Sequence, residues 1–241
     1  MFDLAKRLEQ LVRAVPNDSK LLHQIAQCAG FKEIVQIGAN CGIRNDPVRA
    51  LVVKYRTKTL LVEPDPIAFE QLQKSYAYLV KRGLDIRFVN AYVSPKDIDL
   101  RYYSLSPSGR RKASKSRQVD LARKSGTDKN RLLEYLRSLG YKDAEELVSE
   151  QSIQNVSWQD LLSGDLRGLL VIDTEGLDWK LLLDFDLSAH HPCAVYFETG
   201  PSDTWDPDVI DKFENAGYHF MPLDKNALFV EESMRDRLAE Q

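Results

Sequence analysis

Short apolar runs alternate with amphipathic stretches across residues 33–93, and this alternation constrains the fold more than any other feature of the chain. "EIVQIG" (33–38) leads to "VRALVVKY" (48–55), then "KTLLVEP" (58–64), "DPIAFEQLQKSYAYLVKRG" (65–83) and "DIRFVNAYV" (85–93). Apolar strands separated by helices of about three turns predict a parallel sheet covered on both faces. The pattern resumes with the strand "GLLVID" (168–173), the helix "LDWKLLLDF" (177–185) and the strand "CAVYFE" (193–198). A helix opens at Asp206-Pro207 and stops at Gly217; "YHFMPL" and "NALFV" then read as an antiparallel hairpin at the sheet edge. The expectation is one α/β domain over 1–241 with a mostly parallel sheet. Ahead of it, Leu4, Leu8, Leu11, Val12 and Val15 form one helical stripe, and Asp18 and Ser19 can cap a second helix that ends at Gly30. Residues 1–30 are thus an N-terminal helical extension. Its charged first segment reads as neither a signal peptide nor a membrane span.

Gly38 and Gly42 bracket a tight turn where the first strand meets its helix. Glycine lets the backbone approach a ligand, and amides opening a helix point into the same crevice. Glu63 ends the second strand, 21 residues after Gly42, where a carboxylate can accept both hydroxyls of a ribose. The turn reads Gly-Ala-Asn-Cys-Gly. It lacks the three-glycine spacing that cradles a pyrophosphate, and no Lys-Ser/Thr follows as in a phosphate-binding loop. An adenosine ligand without a diphosphate fits best, and S-adenosylmethionine is such a ligand.

Taken in order, "VQIGANCG", "LLVEPDPIAFEQL", "VNAYVS", "LLVIDTEGLDWKLLLDF", "AVYFE" and "AGYHF…NALFV" resemble the FkbM family of S-adenosylmethionine-dependent methyltransferases over roughly residues 31–104 and 155–231. The resemblance implies a class I methyltransferase (Rossmann-like) fold: seven strands in the order 3-2-1-4-5-7-6, with only strand seven antiparallel. It also implies O-methyl transfer to a hydroxyl of a sugar or natural-product acceptor. Carried over by position, Gly38, Ala39, Asn40 and Gly42 would line the methionine part of the cofactor, and Glu63 would bind the ribose. Pro64 and Asp65 would border the adenine, with Asn90 and Ala91 against it. Asp173, Glu175 and Gly176 would stand beside the sulfonium and the acceptor. Family members usually carry Asp where this chain has Gln36. That carboxylate helps to hold the cationic methionine end, so Gln36 is expected to weaken cofactor binding and Gln36→Asp to tighten it.

Methyl transfer to a hydroxyl needs the oxygen aligned and its proton removed. Asp173 is the first candidate for the base and Glu175 the second. In the alternative, Asp173 only orients the acceptor and Glu175 caps the next helix. No ligand spacing supports a metal site. Two rivals come from other classes: an inactive member of the fold serving as a binding module, motivated by Gln36, and an NAD-linked enzyme, disfavoured by the missing glycine.

Between strands three and four lies an insertion, residues 105–152. Residues 101–131 carry ten Lys/Arg and two acids, a local charge of +8 against −11 for the rest of the chain. Residues 106–127 read as a Ser/Lys/Arg-rich loop, and 128–140 and 142–150 as inserted helices. The segment can be a lid, a docking surface or a flexible loop, and its charge suits a phosphorylated or carrier-bound acceptor, small molecule or glycan. The acidic remainder argues against nucleic acid. Cys28, Cys41 and Cys193 have no metal-like spacing and read as reduced thiols of a cytoplasmic protein.

Overall fold

The computed structural model describes residues 18–43, 46–94, 101–122, 124–174, 176–200 and 204–239. The helix expected over 3–15 lies outside them. Helix α1 (Asp18–Ala29) leads into β1 (Glu33–Ile37), α2 (Val48–Tyr55), β2 (Lys58–Val62), α3 (Pro66–Lys81) and β3 (Ile86–Val89). After the insertion come α7 (Trp158–Leu161), β8 (Leu169–Ile172), α8 (Asp178–Asp184), β9 (Ala194–Glu198), α9 (Pro207–Asn215), β10 (Tyr218–Pro222), β11 (Asn226–Glu231) and α10 (Glu232–Ala239). The sheet runs β10-β11-β9-β8-β1-β2-β3. Counted in chain order along this sheet, that is 3-2-1-4-5-7-6. Only β11 runs antiparallel to its neighbours.

The central strands are apolar on both faces, and their residues divide by the period of two that a strand imposes. Ile34, Leu61, Leu169, Val171, Ala194, Leu228 and Val230 face the layer built by α1, α2, α3 and α10. Val35, Ile37, Val62, Leu170, Ile172, Val195, Phe197 and Phe229 face the other layer, where Trp158, Leu181, Phe185 and Phe213 pack. Trp158 is fully buried, and its ring nitrogen donates to the Leu181 carbonyl at 3.0 Å, so its one polar atom is satisfied. Helix α3 shows how sequence sets an element. Asp65 caps it through Ile67 and Ala68 N–H at 2.8 and 3.0 Å, and Pro66 opens its first turn. Ala68, Leu72, Tyr76 and Leu79 form its buried stripe, and Gly83 follows at φ +78°. Among the described residues no helix is long and apolar enough to cross a membrane.

The structure departs from the sequence reading in the insertion. The run 85–93 is not one strand: β3 stops at Val89, and β4 (Tyr92–Val93) pairs in parallel with β7 (Asn155–Val156). That short ladder closes the root of the insertion. Beyond that root, β5 (Tyr102–Leu105), which starts just ahead of the bound expected for the insertion and is counted with it below, pairs antiparallel with β6 (Val148–Gln151). Residues 106–127, read as a loop, hold two helices, α4 (Pro107–Lys112) and α5 (Lys115–Ala122). Ser106 caps α4 by accepting from Gly109 N–H at 3.1 Å. Helix α6 (Lys129–Ser138) falls where expected, whereas 142–150 is a single 3-10 turn (Ala144–Leu147) running into β6. Leu105, Leu121, Leu132, Leu133, Leu136 and Leu147 give the insertion its own small core. Part of the basic charge is matched locally: Arg101 pairs with Glu150 at 3.6 Å, Lys112 with Asp143, and Lys129 and Arg137 with Glu145 at 3.2 and 3.1 Å.

Gly42 sits at φ +66°, and a Cβ there would lie 2.5 Å from the Tyr76 ring and 2.6 Å from Leu72. The left-handed backbone and the clash both oppose a side chain. Gly42→Ala is therefore expected to destabilise by about 2 kcal/mol or more, read from urea unfolding. An unchanged midpoint would contradict the contact.

Candidate active site

Strand β1 lies between β2 and β8, where the chain reverses its direction of travel across the sheet. At the carboxyl ends of these strands is a cavity of about 730 Å³, counted out to its mouth. Such switch-point crevices are where open α/β sheets bind ligands. Five groups of residues wall it. Ile37, Gly38 and Asn40 come from the turn after β1, and Glu63 and Pro64 from the end of β2. Ala91, Tyr92 and Val93 come from the β3–β4 region, and Asp173 and Thr174 from the end of β8. Tyr102, Ala122, Ser125 and Gly126 come from the insertion.

The turn is built by backbone necessity. Gly38 is at φ +80°, and a Cβ there would stand 1.9 Å from the Asp173 carbonyl oxygen, so only glycine fits. Its N–H and that of Ala39 both donate to the Val62 carbonyl at 2.9 Å. Asn40 adopts a left-handed conformation at φ 48°, which Asn tolerates, and its side-chain oxygen accepts from Cys41 N–H at 2.7 Å. This aims the Asn40 N–H at Glu63 Oε2, 2.7 Å away. Glu63 Oε1 accepts from Asp65 N–H at 2.8 Å. Both oxygens of Glu63 are therefore held by backbone donors, and each keeps a lone pair for a further donor.

Burial pushes the Glu63 carboxyl up to about 8, and the charges of Asp65 and Asp173 push it the same way. The N–H donors of Asp65 and Asn40 pull it down. Neighbouring Tyr102 is raised well above the usual phenol range by burial, then by the charges of Glu63 and Asp65. The rings of Tyr92 and Tyr102 pack at 5.7 Å between centroids.

Of the residues singled out in the sequence, Gly38, Asn40, Glu63, Pro64, Ala91 and Asp173 line this cavity. The others do structural work beside it. Ala39 is buried beneath the turn, and Gly42 makes room for Tyr76. Asp65, fully buried, caps α3 instead of bordering the cavity; burial raises its carboxyl, opposed by the Ala68 and Ile67 N–H groups and the Ser125 hydroxyl. Asn90 braces two strand ends, its side-chain amide donating to the Glu63 and Pro64 carbonyls at 2.8 and 3.0 Å. Gln36 points to the opposite face of the sheet from Ile37 and binds Asp46. Glu175 lies outside the described residues.

Asp173 is exposed on the cavity, and its N–H extends the β1–β8 ladder by donating to the Ile37 carbonyl at 3.0 Å. The loop after it is organised by Asp178, which accepts from Thr174 Oγ1 at 2.8 Å and from the N–H groups of Thr174 and Gly176. On the far side of this loop a second, more open hollow of about 1180 Å³ is lined by Gly176, Trp179, Glu198 and Asp206, with Lys180 and with Arg131 from the insertion. Trp179 is anchored, its ring nitrogen donating to the Thr199 carbonyl at 3.1 Å. Trp205 instead packs edge-on against Phe220. His190 and His191 precede β9, at the opposite end of the sheet, where their ring nitrogens meet the Gly164 carbonyl and Asp165. The insertion was expected as a lid, a docking surface or a loop, but Tyr102, Ala122, Ser125 and Gly126 were not read as wall residues, although Ser106-Pro107 is a helix-start signal and Leu132, Leu133 and Leu136 mark an apolar helix face.

A seven-stranded, mostly parallel sheet in this order, closed by an antiparallel β10–β11 hairpin, is the class I methyltransferase fold. The family model described as the methyltransferase FkbM domain matches residues 36–220, and the chain belongs to this family of S-adenosylmethionine-dependent methyltransferases. No curated protein matches the chain. Among solved structures, the METTL16 methyltransferase domain is similar at 9% identity and a TM-score of 0.45, over 88% of this chain and 66% of that one. The chain thus spans just under two thirds of that domain. Magnesium protoporphyrin IX methyltransferase from Synechocystis PCC 6803, with bound SAM, is similar at 8% identity and a TM-score of 0.42, over 93% and 80% of the two chains. The putative methyltransferase yhhF from Escherichia coli is similar at 14% identity and a TM-score of 0.45, over 92% and 84%.

A buried acid with a raised pKa in the folded state binds its proton more tightly there than in the unfolded chain. Its stabilising contribution is present below about pH 4.5 and is lost as pH rises through about 8. Glu63→Gln should therefore melt closer to the wild type at pH 5 than at pH 9, where the ligand-free variant should be the more stable of the two. Parallel melting curves at both pH values would refute the burial account.

Proposed function

We propose that this methyltransferase acts on a hydroxyl oxygen of a small-molecule or glycan acceptor, with Glu63 as the anchor of the cofactor and Asp173 as the general base. The observation that carries the reading is the Glu63 carboxylate, fixed at both oxygens by backbone donors at the wall of the cavity. A ribose offers two vicinal donors, and this carboxylate offers two aligned acceptors. Gly38 and Asn40 would flank the methionine part. Pro64 and Ala91, with the insertion's Tyr102, Ala122 and Ser125, would enclose the adenosine end. The residues present thus fit S-adenosylmethionine, which when bound supplies an electrophilic methyl group on a sulfonium.

Asp173 stands at the carboxyl end of β8 on the open side of the cavity. A carboxylate there can accept the proton of a hydroxyl and hold its oxygen in line. Asp178 fixes the loop that carries it onward to Gly176. The hollow beyond that loop offers the acceptor a place. Its wall mixes Arg131 and Lys180 with Glu198 and Asp206, which favours a polar acceptor, including a phosphorylated or carrier-bound one, over an apolar one. Three free thiols fit the reducing conditions of the cytoplasm.

Calorimetry with S-adenosylmethionine, S-adenosylhomocysteine and NAD tests the reading: the first two should bind and NAD should not. Glu63→Ala should raise their dissociation constants about tenfold or more, through loss of a charge-assisted bond. If the wild type ignores the first two at millimolar concentration, the proposal is wrong. Asp173→Asn keeps the shape and removes the base. It should cut turnover on a methylated acceptor by about 100-fold or more while leaving S-adenosylhomocysteine affinity within about threefold. Unchanged turnover would leave Asp173 without a catalytic role.

A further inference from the structure

Beneath the glycine turn, on the face of the sheet covered by α1, α2, α3 and α10, is a polar cluster that no cavity residue belongs to. Gln36 is 3% exposed, and its Nε2 donates to Asp46 Oδ1 at 3.3 Å. The same oxygen accepts from Val48 N–H at 2.9 Å, where α2 begins, and Asp46 Oδ2 accepts from the Tyr76 hydroxyl at 3.1 Å. Tyr76 is the ring against which Gly42 packs, so carboxylate, ring and turn are contiguous. The turn is tied to α3 a second time, by Ser75 Oγ donating to the Cys41 carbonyl at 2.8 Å. Arg49, whose guanidinium lies 4.8 Å over the Tyr76 ring, donates to the Ser75 carbonyl at 2.7 Å.

We propose that Asp46 is a positioning residue for the methionine end of the cofactor, supplying from the helix start the negative charge that strand position 36 lacks. This rests on the cofactor reading above. Gln36 is then no defect. Two carboxylates at hydrogen-bond distance cannot both ionise in a buried site, so a carboxylate at 46 requires a neutral donor at 36. Gln36 supplies that donor. Its other side-chain atom, Oε1, has no hydrogen-bond partner among the described residues, so the amide's remaining free atom is an acceptor. Burial raises the Asp46 carboxyl, and the donors from Val48, Tyr76 and Gln36 oppose that shift. The Arg49 guanidinium lies over the Tyr76 ring, and toward Asp46 it is the Arg49 backbone N–H that opposes the shift. Asp46 acts on the turn through Tyr76, whose ring lies against Gly42, and through its field in a low-dielectric layer, where charge is screened less than in water.

The expectation for Gln36→Asp drawn from the sequence is thereby reversed. Affinities for S-adenosylhomocysteine and for 5′-methylthioadenosine, which lacks the amino-acid end, separate this role from a merely structural one. Asp46→Asn should weaken S-adenosylhomocysteine about fivefold or more and methylthioadenosine less than twofold. Gln36→Asp should also weaken S-adenosylhomocysteine and lower the melting temperature. The exchange Gln36→Asp with Asp46→Asn should restore both to near wild type and melt above either single variant. Tighter S-adenosylhomocysteine binding by Gln36→Asp would overturn the proposal, as would equal losses for both ligands in Asp46→Asn or an exchange that rescues nothing. A wild type that binds neither ligand would overturn the cofactor reading and this one with it. Because the melting comparison needs no ligand, the coupling between 36 and 46 is tested even where binding is weak.

Discussion

The bond from the Asn40 N–H to Glu63 Oε2, 2.7 Å long, joins the two elements on which the site depends. It can form only because Asn40 takes a left-handed backbone between two glycines, which turns its amide toward β2 instead of toward solvent. Gly38 lets β1 meet the end of β8 without a side chain between them. Parallel register then places Ile37 beside both Val62 and Ile172, so the residues that follow β2 and β8 open on the same crevice. The desolvation that raises Glu63 is a consequence of the same arrangement: a carboxylate buried at the strand ends is unfavourably charged there.

The insertion completes what the sheet begins. A bare α/β sheet would leave the β2–β3 side of the crevice open, and here Tyr102, Ala122, Ser125 and Gly126 cover it. They are held by the β4–β7 ladder at the root, by the bridge between Tyr103 and Gly126, and by a leucine core of their own. The segment's basic residues are therefore less available than composition suggests, since Asp143, Glu145 and Glu150 take up several of them. Isolated surface pairs of this kind contribute little stability. Their arrangement accounts for where the charge goes, and the leucines account for why the segment folds.

Sheet order, helix placement and the cavity-facing Gly38, Glu63 and Asp173 were legible because each depends on local rules. Apolar periodicity marks strands, Asp-Pro marks helix starts at 65–66 and 206–207, and an acid at a strand end sits near the turn of its neighbour. Motif spacing could not say which way each side chain faces: Gln36 lies on the other side of β1 from Ile37, Gly42 lies against Tyr76, Asp65 caps α3 and Asn90 braces two strand ends, so none of the four is on the cavity wall. Position 36 and position 37 differ by one residue, and in a strand that is the difference between two faces of the sheet. The loop expected over 106–127 was misread for another reason. Composition hid the register: Leu105, Leu121 and Ala122 are few, but they share a cluster with leucines up to 42 residues further along the chain, a long-range contact that no local window contains.

At pH 7, most of the Glu63 population should carry a proton in the ligand-free protein, since burial lifts its carboxyl to about 8. A ligand that offers hydroxyl donors and a positive charge favours the ionised form, so binding should expel that proton. The number of protons released on binding S-adenosylmethionine, measured by calorimetry at pH 7 in buffers of different ionisation enthalpy, tests the site at its central group. Wild type should release close to one proton more than Glu63→Gln. Equal release by the two proteins, with both binding, would contradict the assignment of Glu63 as the group on which the cofactor site is built.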